Sequence, residues 1–230
     1  MKKLGTFPRR GPSGFFVGLA SQGRTPSFRV SSSPPPTSLD PRCFILITGG
    51  TRSGKSRFAV ELAGRFNSRI VYLATCRSGR DGEMRERIAR HRRARPRGWT
   101  TIEHPRDLAG TITRLRGKAG GLIIDCLTMY VAELVVRGES DAAVQRKVRA
   151  LCRAIRRVSY PVIMVTNEVG SSVVPEQELG RRFRDLAGLA NQIAAGFADH
   201  VFLLVAGIPL ALKGGDGLFV DVTDGTNAPT

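Results

Sequence analysis

The sequence is short of cysteine, aromatic and acidic residues, and each shortage argues against a class of protein. The four cysteines are Cys43, Cys76, Cys126 and Cys152, which form no CxxC pair and show no regular spacing. This pattern argues against a disulfide framework or a zinc site and predicts a reducing, cytoplasmic location. No apolar run approaches the roughly 20 residues that a transmembrane helix needs, so no membrane span is expected. Aromatic residues form only 7% of the chain and include no RNP-like pattern, which argues against an RNA-recognition domain.

The charge of the chain is strongly positive. In 230 residues, 36 Lys and Arg oppose 19 Asp and Glu, which gives a formal net charge of +17. Such a balance indicates an anionic partner, either nucleic acid or a phosphorylated small molecule. The charge is also uneven, because residues 1–43 carry seven basic groups and one acid, while residues 77–97 carry nine arginines and three acids.

Three regions of the chain differ in composition. Residues 1–42 combine Pro, Ser and Gly with scattered Arg, which predicts a disordered N-terminal extension. An organelle transit peptide has a similar composition, and an upstream extension of the reading frame is the simpler interpretation. Residues 43–213 form the predicted folded domain, and the 41% of hydrophobic residues in the chain are enough for its core. Residues 214–230 are rich in Gly, Asp and Thr and are predicted to form a flexible C-terminal tail.

Five apolar runs inside the predicted domain are typical of strands. They are Phe44–Thr48, Arg69–Thr75, Gly121–Leu127, Pro161–Val169 and His200–Gly207. Each run is continuous rather than alternating, which indicates a strand buried on both faces of a parallel sheet. Helical patterns lie between them, at Ser56–Phe66, Glu83–Arg93, Ala142–Arg157 and Gly180–Phe197. The predicted fold is therefore α/β, with a doubly wound, mostly parallel sheet and flanking helices.

A complete phosphate-binding loop follows the first predicted strand. It consists of Gly49, Gly50, Thr51, Arg52, Ser53, Gly54, Lys55 and Ser56, which match G-x-x-x-x-G-K-[ST]. Glycines let several backbone N–H groups point inward, and the following helix adds its positive end. We expect Lys55 to reach the outer phosphates, and Ser56 and Asp125, which ends the strand LIID, to ligate Mg²⁺. The loop predicts a RecA-like P-loop fold that binds a nucleoside triphosphate, and it leaves ATPase, GTPase, small-molecule kinase and switch functions open.

One histidine, His91, lies in the arginine-rich stretch RERIARHRRARPRGW. Positive neighbours disfavour a protonated imidazole, and a neutral imidazole is a nucleophile at phosphorus. The surrounding guanidinium groups would hold the polyphosphate that it attacks. The other interpretation is a solvated basic helix face or an RNA-binding patch, and composition alone favours it.

Several segments together resemble one family. They are TGGTRSGKSRFAVELA, YLATC, RIARHRRARPRGWTTIE, LIIDCLT, VTNEVGSSVVPEQELGRRFRDLAGLANQIAA and HVFLLVAGIPLALK, which span roughly Phe44–Lys213. The chain is similar in these segments to the bifunctional adenosylcobinamide kinase / adenosylcobinamide-phosphate guanylyltransferase family of cobalamin biosynthesis. The phosphate loop is common to many families, whereas the combination of HRxxRPxxW, TNEVG, VPE and RRFRDLAGxxNQ is specific to this one.

The resemblance implies two reactions. ATP or GTP phosphorylates adenosylcobinamide, and GTP then transfers GMP to adenosylcobinamide phosphate through a GMP–histidine intermediate, which gives adenosylcobinamide-GDP. It also implies a homotrimer whose sites lie near subunit contacts, with no nucleic-acid partner. The implied catalytic residues are His91, as the nucleophile, and Lys55. The implied nucleotide-contacting residues outside the phosphate loop are Thr75, Cys76, Arg77, Arg92, Arg93, Ala94, Arg95, Glu103 and Asp125.

The two implied reactions occur at different phosphorus atoms of the nucleotide. A kinase step requires attack at the γ-phosphorus, and nucleotidyl transfer requires attack at the α-phosphorus. One phosphate loop serves both only if the triphosphate shifts its register or a protein segment moves, and we hypothesise that residues 79–98 move. Two other functions stay open on the sequence: another small-molecule P-loop kinase, and a nucleotide-regulated RNA-binding protein.

Overall fold

The structure is a computed structural model that describes residues 42–66, 69–77, 82–93 and 95–214. The predicted extension and C-terminal tail lie outside these residues, except for Arg42 and Gly214. The strands are β1 (Phe44–Gly49), β2 (Ile70–Ala74), β3 (Thr100–Glu103), β4 (Gly121–Asp125), β5 (Val162–Val165), β6 (His200–Val205) and β7 (Ile208–Lys213). The helices are α1 (Lys55–Ala63), α2 (Gly82–Arg93), α3 (Leu108–Arg114), α4 (Leu127–Val136), α5 (Asp141–Ile155) and α6 (Glu178–Phe197).

The seven strands form one sheet in the order β3-β2-β4-β5-β1-β6-β7. All neighbouring strands are parallel except β6 and β7, which are antiparallel. One strand, β5, separates β1, which leads into the phosphate loop, from β4, which ends at Asp125. This arrangement confirms the predicted α/β fold with a mostly parallel sheet of the RecA-like P-loop class.

Both faces of the sheet are covered, which explains the continuous apolar runs. On one face, α1 packs Phe58 and Leu62 against a buried cluster that includes Ile45 and Ile47. On the other face, residues of α3, α4, α5 and α6 pack on a cluster that includes Phe44. Successive side chains of β1 thus alternate between two buried layers, because neighbouring residues of a strand point to opposite faces.

Four elements are absent from the sequence prediction: β3, α3, α4 and β7. The edge strand β3 is short and reads TTIE, with three exposed residues, so it has no apolar run. The helix α4 begins two residues after β4 ends, and its apolar sequence merges with that of the strand. The β6–β7 turn places Ala206 at φ 51° and Gly207 at φ 86°, the positive angles that a two-residue hairpin requires. No helix within the described ranges is long and apolar enough to cross a membrane.

Candidate active site

A cavity of about 410 Å³ lies at the carboxyl end of the parallel strands. Ligands of open α/β sheets bind at this edge. The cavity is lined by the phosphate loop from Thr51 to Ser56, by His91 and Arg95 of the arginine-rich stretch, and by Asp125 and Asn167. The fold therefore brings the phosphate loop, the strand-end carboxylate and the histidine into one cavity.

The phosphate loop is held in a tight turn. Gly49 has a φ of +148°, and a Cβ atom there would lie 2.5 Å from the carbonyl oxygen of Leu204, so a larger residue does not fit without movement. Gly54 precedes α1 at φ +97°, in the left-handed region that glycine adopts readily. Lys55 Nζ donates to the carbonyl oxygen of Gly50 at 2.6 Å, within the same loop. Burial lowers the pKa of Lys55 from its ordinary value, so an anionic partner would stabilise the charged ammonium group.

Asp125 is the centre of the polar contacts in the cavity. Its Oδ2 accepts hydrogen bonds from the Tyr72 hydroxyl and, at 3.3 Å, from Ser56 Oγ. His91 Nδ1 lies 3.6 Å from the same oxygen. Burial alone would raise the pKa of Asp125, but the interactions with His91, Tyr72 and Ser56 outweigh it, and the pKa lies below its ordinary value. Asp125 is thus an anionic carboxylate beside the Ser56 hydroxyl.

These oxygen atoms fit a magnesium site. Mg²⁺ binds hard oxygen ligands, and it typically takes one or two protein carboxylates together with waters and the phosphates of a nucleotide. Asp125 and Ser56 provide such a carboxylate and a hydroxyl at the end of the phosphate loop. Within the described ranges, no group of three or more His, Cys, Asp and Glu side chains could hold a metal ion by itself.

The helix α2 brings His91 to the cavity. His91 lies in its last turn, and its side chain is 48% exposed. Because Nδ1 faces Asp125, the other ring nitrogen, Nε2, is left for a ligand. The imidazole is therefore oriented by a carboxylate on one side, which is the arrangement of an activated nucleophile and its orienting group.

Two thiols also line the cavity, and both are held in the neutral form. Burial, together with repulsion by Asp125, raises the pKa of Cys126 to about 12. The same two causes raise the pKa of Cys76 above its ordinary value. A neutral thiol is a poor nucleophile. Among the described residues of the cavity, His91 is thus the side chain best suited to attack phosphorus.

The arginine-rich stretch is anchored to β3 by Glu103. Arg92 Nε donates to Glu103 Oε1 at 2.6 Å, the Arg92 Nη2 donates to Oε2, and Arg95 Nη1 lies 3.6 Å from Oε1. The hydrogen bonds from Arg92 lower the pKa of Glu103 below its ordinary value, against the opposing effect of burial. The Arg95 guanidinium also lies over the Tyr72 ring, 4.2 Å from its centroid, which is a cation–π geometry. Glu103 therefore positions the segment that carries His91.

Comparison with known proteins gives the family. Residues 45–212 match the profile of the family described as cobinamide kinase / cobinamide phosphate guanyltransferase. The bifunctional adenosylcobalamin biosynthesis protein CobP of Pseudomonas aeruginosa is 42% identical over 170 residues, which cover 74% of this chain and 96% of that protein. The bifunctional adenosylcobalamin biosynthesis proteins CobU of Salmonella typhimurium and Escherichia coli are 40% and 38% identical over 181 residues, which cover 74% of this chain and 99% of each relative. The chain belongs to this family.

Membership of the cobinamide kinase / guanyltransferase family confirms the resemblance seen in the motifs, and the structure adds where each predicted site residue lies. Cys76 lies in the cavity, whereas the Thr75 hydroxyl is buried and bonds to the backbone of Cys126. Arg77 lines a second, separate groove. Arg93 is exposed at the end of α2, and Ala94 lies outside the described residues.

The site includes residues that were not among the predicted ones, and Tyr72 and Asn167 are two of them. Tyr72 sits within a buried strand, and its hydroxyl reaches Asp125. The signal in the sequence is a single phenol in an otherwise aliphatic run, IVYLA. Asn167 lines the cavity, and its backbone is fixed by Thr128 Oγ1 at 2.6 Å and Asn191 Nδ2 at 3.2 Å. In the sequence, Asn167 belongs to the TNEVG motif, which follows a predicted strand.

Proposed function

We propose that this protein phosphorylates adenosylcobinamide with ATP or GTP and then transfers GMP from GTP to adenosylcobinamide phosphate through a GMP–His91 intermediate. The chain belongs to a family described by both activities. The observation that supports both steps in one site is that His91 shares a single cavity with the phosphate loop and Asp125. A simple P-loop kinase has no need of a histidine beside its phosphate loop.

In the kinase step, the phosphate loop holds the triphosphate of the donor. Lys55 and the backbone N–H groups of the loop bind the outer phosphates, and Ser56 and Asp125 hold the magnesium ion. Mg²⁺ neutralises phosphate charge when bound. The hydroxyl of adenosylcobinamide attacks the γ-phosphorus and loses its proton to solvent, and the bond from this phosphorus to the β-bridging oxygen breaks to release the nucleoside diphosphate.

In the guanylyl-transfer step, His91 is the nucleophile. Nε2 attacks the α-phosphorus of GTP, a P–N bond forms, and the bond from the α-phosphorus to its bridging oxygen breaks to release pyrophosphate. Asp125 orients the ring through Nδ1 and stabilises the positive charge that develops on it, as a carboxylate does for an imidazole base. We assign the binding of the leaving pyrophosphate to Arg95, because its guanidinium group lines the cavity.

The quaternary state and location follow the family resemblance. We propose a homotrimer, because Val205, Ile208, Leu210 and Leu212 of the β6–β7 hairpin are each more than half exposed and need an apolar partner. Burial of these side chains between copies would remove them from water. We also propose a cytoplasmic location and small-molecule substrates rather than nucleic acid, because Arg90 and Arg95 of the arginine-rich stretch line the cavity that contains the phosphate loop.

The test is covalent labelling with GTP that carries its label on the α-phosphorus. Wild-type protein should take up the label in a bond that acid cleaves and alkali preserves, as expected of a phosphoramidate. The His91→Ala variant should take up none, yet it should accumulate adenosylcobinamide phosphate. The matched control is His200→Ala, which removes an imidazole on β6, away from the cavity. Persistent labelling of His91→Ala would refute the role of His91, and absence of label in the wild type would favour a simple kinase or an RNA-binding protein.

A further inference from the structure

A second groove lies beside the active-site cavity. It encloses about 370 Å³ and is lined by Arg77, His104, Arg106 and Arg137. These residues come from the segments that follow β2 and β3 and from the residue after α4. Three guanidinium groups and an imidazole thus converge on one opening at the carboxyl edge of the sheet, although they are distant in sequence.

The groove carries more positive than negative charge. Glu133 is the carboxylate that contacts its lining residues in the described part of the chain. Its Oε2 lies 2.7 Å from His104 Nε2, and its Oε1 accepts from Arg137 Nη2. Within the described ranges, the guanidinium groups of Arg77 and Arg106 make no ion pair or hydrogen bond with another residue, while the carbonyl oxygen of Arg77 accepts from Cys76 Sγ at 3.7 Å. Two guanidinium groups, each with several donors, are therefore available to an anion.

The groove is next to the residues that carry out the proposed chemistry. Cys76 lines the active-site cavity, and the next residue, Arg77, lines the groove. Glu103 binds Arg92, the neighbour of His91, and the next residue, His104, lines the groove. Because adjacent Cα atoms are about 3.8 Å apart, the groove begins one residue away from the cavity, at Arg77 beside Cys76.

We propose that this groove binds the phosphate group of adenosylcobinamide phosphate, the acceptor of the second reaction; the inference rests on the proposed function. The first reaction does not need the groove, because its acceptor carries a neutral hydroxyl. In the second reaction a phosphate dianion must approach a GMP group that is itself anionic. Guanidinium groups outside the phosphate loop offset this repulsion, and bidentate arginine contacts orient the attacking oxygen.

An oxygen of the acceptor phosphate attacks the phosphorus of the GMP–His91 intermediate, and a P–O bond forms. The P–N bond breaks, and its electron pair returns to Nε2 of His91, which restores the neutral imidazole that attacked GTP. The product is a diphosphate diester, and His91 is regenerated.

The experiment uses the full chain and Arg106, which is exposed and has no assigned part in nucleotide binding. Arg106→Gln removes the charge, Arg106→Lys keeps it, and Arg153→Gln on α5 is the matched control for loss of a surface arginine. Three quantities are measured separately: phosphorylation of adenosylcobinamide, self-labelling by α-labelled GTP, and discharge of the labelled enzyme to adenosylcobinamide phosphate. Equilibrium dialysis compares the affinity of each variant for adenosylcobinamide and for its phosphate.

Arg106→Gln should weaken binding of adenosylcobinamide phosphate and raise its KM in the discharge step by about tenfold or more, the effect of losing one charged hydrogen bond. Arg106→Lys should recover part of the loss. Phosphorylation of adenosylcobinamide, self-labelling by α-labelled GTP and the affinity for adenosylcobinamide should each change less than about twofold. Equal loss for both corrinoids, or no loss for either, would overturn the proposal.

The released pyrophosphate is the other source of a phosphate anion, and the reverse reaction separates it from the acceptor. If Arg106→Gln raised the KM for pyrophosphate in the discharge of labelled enzyme to GTP, and left adenosylcobinamide phosphate unaffected, the groove would belong to the leaving group and the proposal would be wrong. A wild-type protein that neither labels nor phosphorylates would instead contradict the proposed function. The two failures are therefore distinguishable.

Discussion

Replacement of Tyr72 by Phe removes one hydroxyl group from the buried core of the site and keeps the ring. The Tyr72 side chain is 2% exposed, and its hydroxyl donates to Oδ2 of Asp125. A hydrogen bond to a charged group contributes about 1.5–3 kcal/mol, so the free energy of unfolding should fall by about this amount. For a domain of this size, that loss corresponds to a fall in Tm of roughly 3–12 °C. The ring remains under Arg95, so the loss reports on the hydroxyl and not on the cation–π contact.

The measurement for Tyr72→Phe is urea unfolding at neutral pH in metal-free buffer, followed by circular dichroism. The matched control is Tyr160→Phe, because Tyr160 is 4% exposed and its hydroxyl lies 3.5 Å from the neutral carbonyl oxygen of Ile112. A bond at that distance is weak, and we expect a loss of about 1 kcal/mol or less. If Tyr72→Phe lost no more stability than Tyr160→Phe, the hydroxyl would not hold Asp125 in place and the reasoning would fail.

Three further predictions concern the phosphate loop, the ion pair on β3 and the N-terminal segment. Lys55→Ala should abolish both activities while circular dichroism shows a folded protein, because both reactions need the anchored triphosphate; full kinase turnover at saturating ATP would contradict this. The Arg92 hydrogen bonds lower the pKa of Glu103, so their stabilisation is complete above the ordinary carboxyl pKa and is lost as the pH falls through the lowered value. Wild type should therefore slightly exceed Glu103→Gln in unfolding free energy at neutral pH, since an exposed ion pair contributes little, and the gap should close in acid; a gap that persists in acid would exclude the ion pair as its cause. Removal of residues 1–42 should leave activity and Tm nearly unchanged, since Pro, Ser and Arg bury little apolar surface; a fall in Tm of more than a few degrees would show that the segment packs on the domain.

The features that could be predicted from the sequence are those that contiguous residues encode. The phosphate loop from Gly49 to Ser56 is a local motif between a strand and a helix, and its chemistry follows from residue type and spacing. The continuous apolar runs indicated strands buried on both faces, so the parallel sheet was predictable as well. The edge strand β3 could not be predicted, because it has no apolar run. The helix α4 could not be predicted either, because its apolar residues directly follow those of the strand β4.

The amino-acid sequence by itself determined the fold class, the phosphate loop and, through its combined motifs, the family. Only the tertiary structure decided which distant side chains meet. In the sequence His91 is one basic helix residue among many, and the fold places it 3.6 Å from Asp125, while its neighbour Arg92 binds Glu103 on β3. The contact of Tyr72 with Asp125 depends on the pairing of β2 with β4, and the groove around Arg77 and Arg106 depends on β2 lying next to β3. Strand order is set by the packing of the whole chain, so residue spacing alone does not reveal these contacts.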